Sequence, residues 1–364
     1  ERQRTMDILN YLQGMAVQHG PSGHEAEVSG WLKARFEALC DSVTIDPLYN
    51  VIALKKATAP TKDGSPAPRV MLAAHQDEIA LMVADILPDG SLRMGQVGGV
   101  DPRILPASSV TVHATGAGNG TEKLLGVVGS TPPHLLSTAD REHNYKREDL
   151  FVDLGLPVDK VRAQVRIGDL ITLHGPATPL LNDRCAAKTM DDRACVACLL
   201  EAAERLQKMS HICDIYFVAT SQEEVGSKGA SVAAHAIDPD LAVALDVTHA
   251  TIPQSRPDTT VPLDAPAATY GPFVQYKLLE RLKKAAKDHG IKLNTEHAER
   301  FTYTDLDNIQ IAREGVPCVL IDLPLKYMHT TVELLDMNVI RECGRLLAHF
   351  LGDLDEGWNE ALWS

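Results

Sequence analysis

Residues 220–226, Thr-Ser-Gln-Glu-Glu-Val-Gly, set two adjacent carboxylates directly after an apolar run, residues 215–219, that reads as a buried strand. An isolated glutamate pair is ordinarily part of a solvated loop. At the end of a buried strand, Glu223 and Glu224 are costly to place unless a metal ion or a substrate proton pairs with them. Four more stretches carry similar residues at strand ends or strand-to-helix turns. They are His75-Gln76-Asp77-Glu78, Asp191-Asp192-Arg193, Asp246 after the run 241–245, and His329, reached from a strand at 318–322 by a short Pro-containing loop. Singly, each has an ordinary explanation: a hydrogen-bonded histidine, a strand-end turn, a helix N-cap. Together they fall at one edge of one predicted sheet, and open α/β sheets gather ligands beyond the carboxyl ends of their strands.

Two histidines with several carboxylates suit zinc, cobalt or manganese rather than calcium. Two such metals need a bridging carboxylate and a bridging water, and they lower the pKa of that water to about 7. A carboxylate left off the metals must then take the proton and deliver it to the leaving group. Adjacent side chains of an extended backbone point opposite ways, so a turn at Val225-Gly226 is expected to bring Glu223 and Glu224 to one site.

The elements that must position these residues follow from periodicity. Helices are predicted at 5–18 and 24–39, strands at 43–46 and 50–54, an exposed loop at 57–68, and a buried strand at 69–74 ending at His75. From 78 to 175 short β-rich runs alternate with Gly and Pro, with one helix candidate near 158–165. Beyond Pro179 helix and strand alternate: helices at 194–206, 229–235, 273–289, 306–313 and 336–351, the last closing the chain, and strands at 213–220, 241–245, 291–295 and 318–322. The predicted class is α/β, a mixed central sheet flanked by helices, built from residues 1–77 and 176–364, with a small β-rich domain of residues 78–175 inserted into it.

A net charge of -14 argues against nucleic acid or an anionic membrane surface as partner, since both would repel it. No apolar run approaches a membrane span, and the charged start carries no apolar signal core. Seven scattered cysteines fit a reducing compartment, so the expected location is cytoplasmic. Cys195 and Cys198 would share one helix face, as a metal or redox pair or as small residues packed in the core; no second Cys or His pair stands nearby.

The chain resembles the tetrahedral aminopeptidase family of di-metal exopeptidases, which includes glutamyl and deblocking aminopeptidases and some members labelled endoglucanase. The likeness rests on Pro21-Ser22-Gly23-His24-Glu25, His75-Gln76-Asp77-Glu78, Gly98-Gly99, Pro132-Pro133-His134, Asp191-Asp192-Arg193, Gln222 through Gly226, Asp246-Val247-Thr248 and Pro324 through His329. It implies that His75 and Asp246 bind one metal, Glu224 and His329 the other, and that Asp191 bridges them through a cis Asp191–Asp192 peptide. It further implies that Glu223 is the general base and acid, and that Asp77 holds the far nitrogen of His75. The cofactors would be two divalent ions, zinc or cobalt, with manganese a third candidate. Short peptides would be the substrates. The inserted domain would mediate dimerisation, with dimers building a tetrahedral dodecamer. The chain departs from the family's usual Gly-Gly-Thr-Asp run at residues 301–305, and Lys326 replaces the commoner Arg. Two other functions compete: a glycoside hydrolase using a carboxyl pair without metal, for which 5% aromatic residues offer few stacking platforms, and a non-enzymatic assembly scaffold.

Overall fold

A computed structural model describes residues 6–62, 64–116, 118, 120–138 and 143–363. Thr5, the expected first helical residue, and Asp63 of the expected loop lie outside them. The chain opens with helices α1 (Ile8–Ala16) and α2 (Ala26–Phe36), then strands β1 (Ser42–Ile45), β2 (Val51–Lys55) and β3 (Arg69–His75). There follow β4 (Ala80–Ile86), β5 (Leu92–Val97), β6 (Ser109–Ala114), β7 (Glu122–Ser130), β8 (Leu150–Asp153), α3 (Val158–Gln164) and β9 (Leu170–Leu173). The remainder comprises β10 (Thr178–Leu180), β11 (Arg184–Ala187), α4 (Met190–Leu206), β12 (Asp214–Thr220), α5 (Lys228–Ile237), β13 (Leu241–His249), β14 (Ala267–Tyr270) and α6 (Tyr276–Asp288). It ends with β15 (Asn294–His297), α7 (Leu306–Ile309), β16 (Cys318–Leu325), β17 (Glu333–Asp336), α8 (Met337–Gly352) and α9 (Trp358–Trp363).

These elements form two compact units. Residues up to Asp77, with 176–328 and 332 onward, make the first; residues 78–175 with 329–331 make the second. The first holds an eight-stranded mixed sheet, ordered β1-β2-β12-β3-β13-β16-β14-β15, with β12, β3, β13 and β16 parallel. Both faces of β3 are covered, which is why it reads as a continuous apolar run rather than an alternating one. Val70, Leu72 and Ala74 enter the core under α1, α4 and α8, while Met71 and Ala73 enter a smaller core with α5 and α7. The second unit is a closed barrel ordered β4-β5-β8-β7-β6-β9. Leu81, Val83, Val110, Val112, Val152 and Ile171 fill its own core, joined by Val161 from α3. The architecture is thus α/β, with a mixed sheet flanked by helices and a six-stranded β-barrel.

Several boundaries differ from the sequence expectation. β13 does not stop at residue 245 but runs to His249, so Asp246 lies inside a strand and not beyond its end. The cause is β16, which also runs past residue 322 and pairs along this whole stretch, Asp246 opposite Asp322 and Thr248 opposite Pro324. A proline inside an inner strand misleads a sequence reading; here β14 pairs only with Ile321 and Asp322, which leaves Pro324 beyond it. The strand expected at 291–295 forms at Asn294–His297, the helix expected at 306–313 ends at Ile309, and α9 follows the helix expected to close the chain.

Helix α4 is buried almost throughout and packs against α8, where Gly344 faces the side chain of Glu201. A Cβ at Gly344 would lie 2.5 Å from Glu201 Cγ and 3.1 Å from the Cys198 carbonyl. Gly344→Val should therefore force the helices apart and destabilise the fold by about 1–3 kcal/mol. A urea midpoint equal to that of the parent protein would contradict this packing.

Candidate metal centre

Register brings the first site residues together. Thr220 of β12 lies beside His75 of β3, and Gln76 N donates to the Thr220 carbonyl at 2.9 Å. Past Thr220 the chain leaves the ladder, and its next four peptide N–H groups donate to buried side-chain oxygens. Ser221 N reaches Asn50 Oδ1 at 2.9 Å and Gln222 N reaches Glu25 Oε1 at 3.1 Å. Glu223 N reaches Asp77 Oδ1 at 3.0 Å and Glu224 N reaches Asp77 Oδ2 at 3.3 Å. Gln222 takes a left-handed φ of 56° just ahead of the pair, and a turn follows in which Gly226, at φ of 112°, donates its N–H to the Glu223 carbonyl at 2.7 Å. The turn expected at Val225-Gly226 is therefore present, with a second left-handed residue, Gln222, ahead of it.

The start of α4 supplies the next donors. Asp191 and Asp192 have non-helical backbone angles, and the peptide between them is cis, as the family resemblance implies. Arg193 is buried and acts as an anchor. Its Nε donates to the Gln76 carbonyl at 2.9 Å, and its Nη1 to the carbonyls of Met15 and Gln18 at 2.7 and 2.8 Å. Asp191 N donates to Glu333 Oε2 at 3.1 Å. Asp192 Oδ2 accepts from His75 N at 3.1 Å, while its Oδ1 is buried with no hydrogen-bond partner.

Among the described residues, two groups of donors lie close enough to hold a cation: His75, Asp192 and Asp246, and His75, Asp191 and Glu224. Within each, the ligand-type atoms are all within 4.8 Å of one another. His75 Nε2 lies 3.0 Å from Asp191 Oδ1 and 3.9 Å from Glu223 Oε2, and Nδ1 faces Asp77 Oδ1 at 3.4 Å. Glu223 stands outside both groups. His329 is grouped with the barrel unit, where its Nδ1 lies 2.8 Å from the Gly99 carbonyl. With Nδ1 as donor, Nε2 carries the lone pair a metal would use. A Cβ on Gly99 would come within 3.0 Å of that ring, a physical reason for the Gly98-Gly99 motif.

Charge explains why the donor set suits cations. Burial, with the neighbouring Asp192, pushes the Asp246 carboxyl well above its usual range, and burial does the same to Asp192. Burial also pushes Glu223 up to about 8, with Asp305 and Glu224 adding to it against the pull of His75. Burial would lower His75, yet its bonds to Asp191 and Asp77 outweigh it and hold the imidazole well above its ordinary value. Burial opposes Asp77, but His75 and Ser22 hold that carboxyl low. Clustered carboxylates that resist ionisation, one with an orphaned oxygen, fit divalent cations, which would relieve the repulsion.

Other residues at the centre escape a sequence reading. Asp192 looks like a capping residue. Asn50 carries no sequence signal, and Asp305, which accepts from Thr220 Oγ1, lies in the 301–305 run, noted in the sequence only for departing from the family pattern. Glu25 and Ser22 lie in the quoted Pro21–Glu25 motif, which gives no hint of their partners. Cys195 and Cys198 belong to neither donor group; burial raises both thiols above their usual range, and Cys195 Sγ donates to the Asp246 carbonyl at 3.2 Å.

Imidazole and carboxylate donors buried at the carboxyl edge of a mixed sheet define a di-metal hydrolase. The chain belongs to the M42 glutamyl aminopeptidase family, whose model matches residues 56–346. It is 37% identical over 322 residues to a lysyl aminopeptidase of Pyrococcus furiosus, covering 87% of this chain and 88% of that protein. Its structure is similar to the TET aminopeptidase of a marine-sediment archaeon of the Thaumarchaeota, with TM-score 0.89, 29% identity and 98% of each chain covered. It is also similar to the TET1 peptidase of Pyrococcus horikoshii, which can assemble into a tetrahedron or a large octahedral shell (TM-score 0.80, 25% identity, 96% of this chain and 100% of that one). Donor set and family together make this chain a metal-dependent aminopeptidase.

The raised carboxyls fix the pH dependence of the metal-depleted protein. Each keeps its proton in the folded state at pH values where the unfolded chain has lost it, so stability falls as pH rises from about 4. For Glu223 this loss extends to about 8. His75, raised above its unfolded value, changes with the same sign; Asp77 is lowered, and its contribution is lost only in more acid solution. Added Zn²⁺ or Co²⁺ should thus raise the thermal midpoint more at pH 8 than at pH 5.5. Equal shifts at the two pH values in a melting assay would contradict this charge balance.

Proposed function

We propose that this aminopeptidase releases single residues from the N-termini of short peptides, with Glu223 carrying the proton. His75, Asp191, Glu224, Asp246 and His329 would hold two divalent ions, zinc or cobalt, with manganese a third candidate. Asp191 would bridge them. The observation that carries this reading is the different setting of two adjacent glutamates. Glu224 belongs to a donor group with His75 and Asp191, whereas Glu223 is excluded from both groups yet has Oε2 only 3.9 Å from His75 Nε2.

Bound divalent cations supply Lewis acidity and make hydroxide available at neutral pH. The chain supplies the rest. Ser227 Oγ donates to Glu223 Oε1 at 3.0 Å, which restrains the side chain and leaves Oε2 on the side of His75 Nε2. Glu223 Oε2 takes a proton from the attacking water and returns it to the leaving amine nitrogen as the C–N bond breaks. Asp77 acts at one remove: it faces His75 Nδ1 and holds the main chain of both glutamates. The buried carboxylates favour a positively charged group, as the free amino terminus of a peptide is.

The likeness to the P. horikoshii peptidase, which can assemble into a tetrahedron or a large octahedral shell, supports a homo-oligomer, and a dodecameric structure of PhTET1, 25% identical, supports twelve subunits; dimers joined through the barrel are what the family resemblance adds. Seven free cysteines support a cytoplasmic location; no helix among the described residues is long and apolar enough to cross a membrane. A glycosidase reading would need a bare carboxyl pair, and activity on a β-glucan that survives chelation would revive it.

Glu223→Gln removes the proton carrier and keeps the shape. It should retain wild-type metal content by elemental analysis while turnover of an aminoacyl amide falls by about 10²–10⁴. Near-normal turnover would remove Glu223 from the mechanism.

A further inference from the structure

The Pro21–Glu25 motif is left unused by the chemistry described so far, yet two of its side chains reach into the centre. Ser22 Oγ donates to Asp77 Oδ2 at 2.6 Å, on the same carboxylate that receives the N–H groups of Glu223 and Glu224. Glu25 is fully buried. It is the N-cap residue of α2, but its side chain makes no bond to that helix. Instead Oε1 accepts from Gly23 N at 2.7 Å and from Gln222 N at 3.1 Å, while Oε2 is buried without a partner. Gly23, at φ of 85°, takes a left-handed turn that suits glycine, just ahead of Glu25.

We propose that Glu25 is a positioning residue for the Glu223–Glu224 pair: its Oε1 holds Gln222 in the left-handed conformation that lets both glutamates serve one centre. This rests on the roles given above to those two glutamates. A non-glycine residue at positive φ is uncommon and persists where its surroundings over-determine it. Of the four N–H groups along this turn, the one on the left-handed residue itself is held by Glu25. A side chain buried only for packing would not need a carboxyl here, since an uncompensated buried oxygen is unfavourable. What the position demands is an acceptor oxygen at the end of a three-carbon arm, rather than a charge. Burial and the nearby Asp77 push the Glu25 carboxyl up to about 7, so glutamine is a close mimic of its protonated form.

Two conservative variants separate position from charge. Glu25→Gln keeps the arm length and the acceptor; Glu25→Asp keeps the acid and withdraws the oxygen by one carbon. In metal-loaded protein, Glu25→Asp should lower kcat on an aminoacyl amide at least about tenfold with KM within about twofold. It should also weaken Co²⁺ binding, followed by the visible absorption of the ion, by about tenfold, the scale seen when a ligand's supporting partner is lost. Glu25→Gln should stay within about threefold of the parent on both measures. An Asp variant equal to the parent, or a Gln variant as impaired as Asp, overturns the proposal. If the parent enzyme loaded with Co²⁺ hydrolyses no aminoacyl amide, the peptidase reading fails, and the two Co²⁺ affinities still decide the role of Glu25. Should either variant not fold, hydrogen exchange of the parent decides: the Gln222 amide must be protected as strongly as that of Glu223, and exchange at the rate of an exposed loop overturns the proposal.

Discussion

The centre depends on how peptide N–H groups are satisfied where a buried strand ends. Beyond Thr220 the main chain has no neighbouring strand, and unpaired buried N–H groups are costly. Asn50, Glu25 and Asp77 supply the missing acceptors in turn for residues 221 to 224. This arrangement satisfies the backbone and sets its direction. Because Asp77 also faces His75, one carboxylate links the orientation of an imidazole donor to that of the glutamate loop. Asn50 is itself tied to Asp46 and to the Gly229 carbonyl, and a Cβ on Gly229 would lie 2.3 Å from Asn50 Oδ1. The close approach of that glycine belongs to the same construction.

Arg193 does for the α4 side of the centre what Asp77 does for the strand side. Its guanidinium donates to three main-chain carbonyls, two near the end of α1 and one just past β3. The helix that begins at Met190 is thereby registered against the strand that carries His75. Asp191 and Asp192 sit between these two fixed points, and the directions of their carboxylates follow from the anchor behind them. The run Asp-Asp-Arg is therefore two donors followed by their support, although as a sequence it resembles a capped helix start.

Much of this was legible beforehand because the strands carrying the donors are buried on both faces and read as unbroken apolar runs. β3 ending at His75 and β12 ending at Thr220 are of this kind. So is the barrel, whose short alternating strands betray a separate core. What was not legible depends on partners distant in sequence. Asp246 seems to end its strand until β16 is known to extend beside it past Asp322. β14 is too short to announce itself, and it forms only by pairing with β16 and β15. Asn50 has no local pattern and the motif that holds Glu25 does not reveal its partner, since their partners lie about 170 and 200 residues away along the chain.

The donors of the two groups come from residues 75, 191–192, 224 and 246, on two strands, a helix and the loop after β12, all in the first unit. No short segment of the chain contains even one group, so the unfolded polypeptide has little means of gripping a cation with more than a single arm. Bound ions would act as a cross-link closing loops from about 30 residues, between Asp191 and Glu224, to more than a hundred, between His75 and Asp191, drawn between parts that meet only when the central strands are in register. Their binding energy then adds to the cooperative stability of the whole unit rather than to any one element.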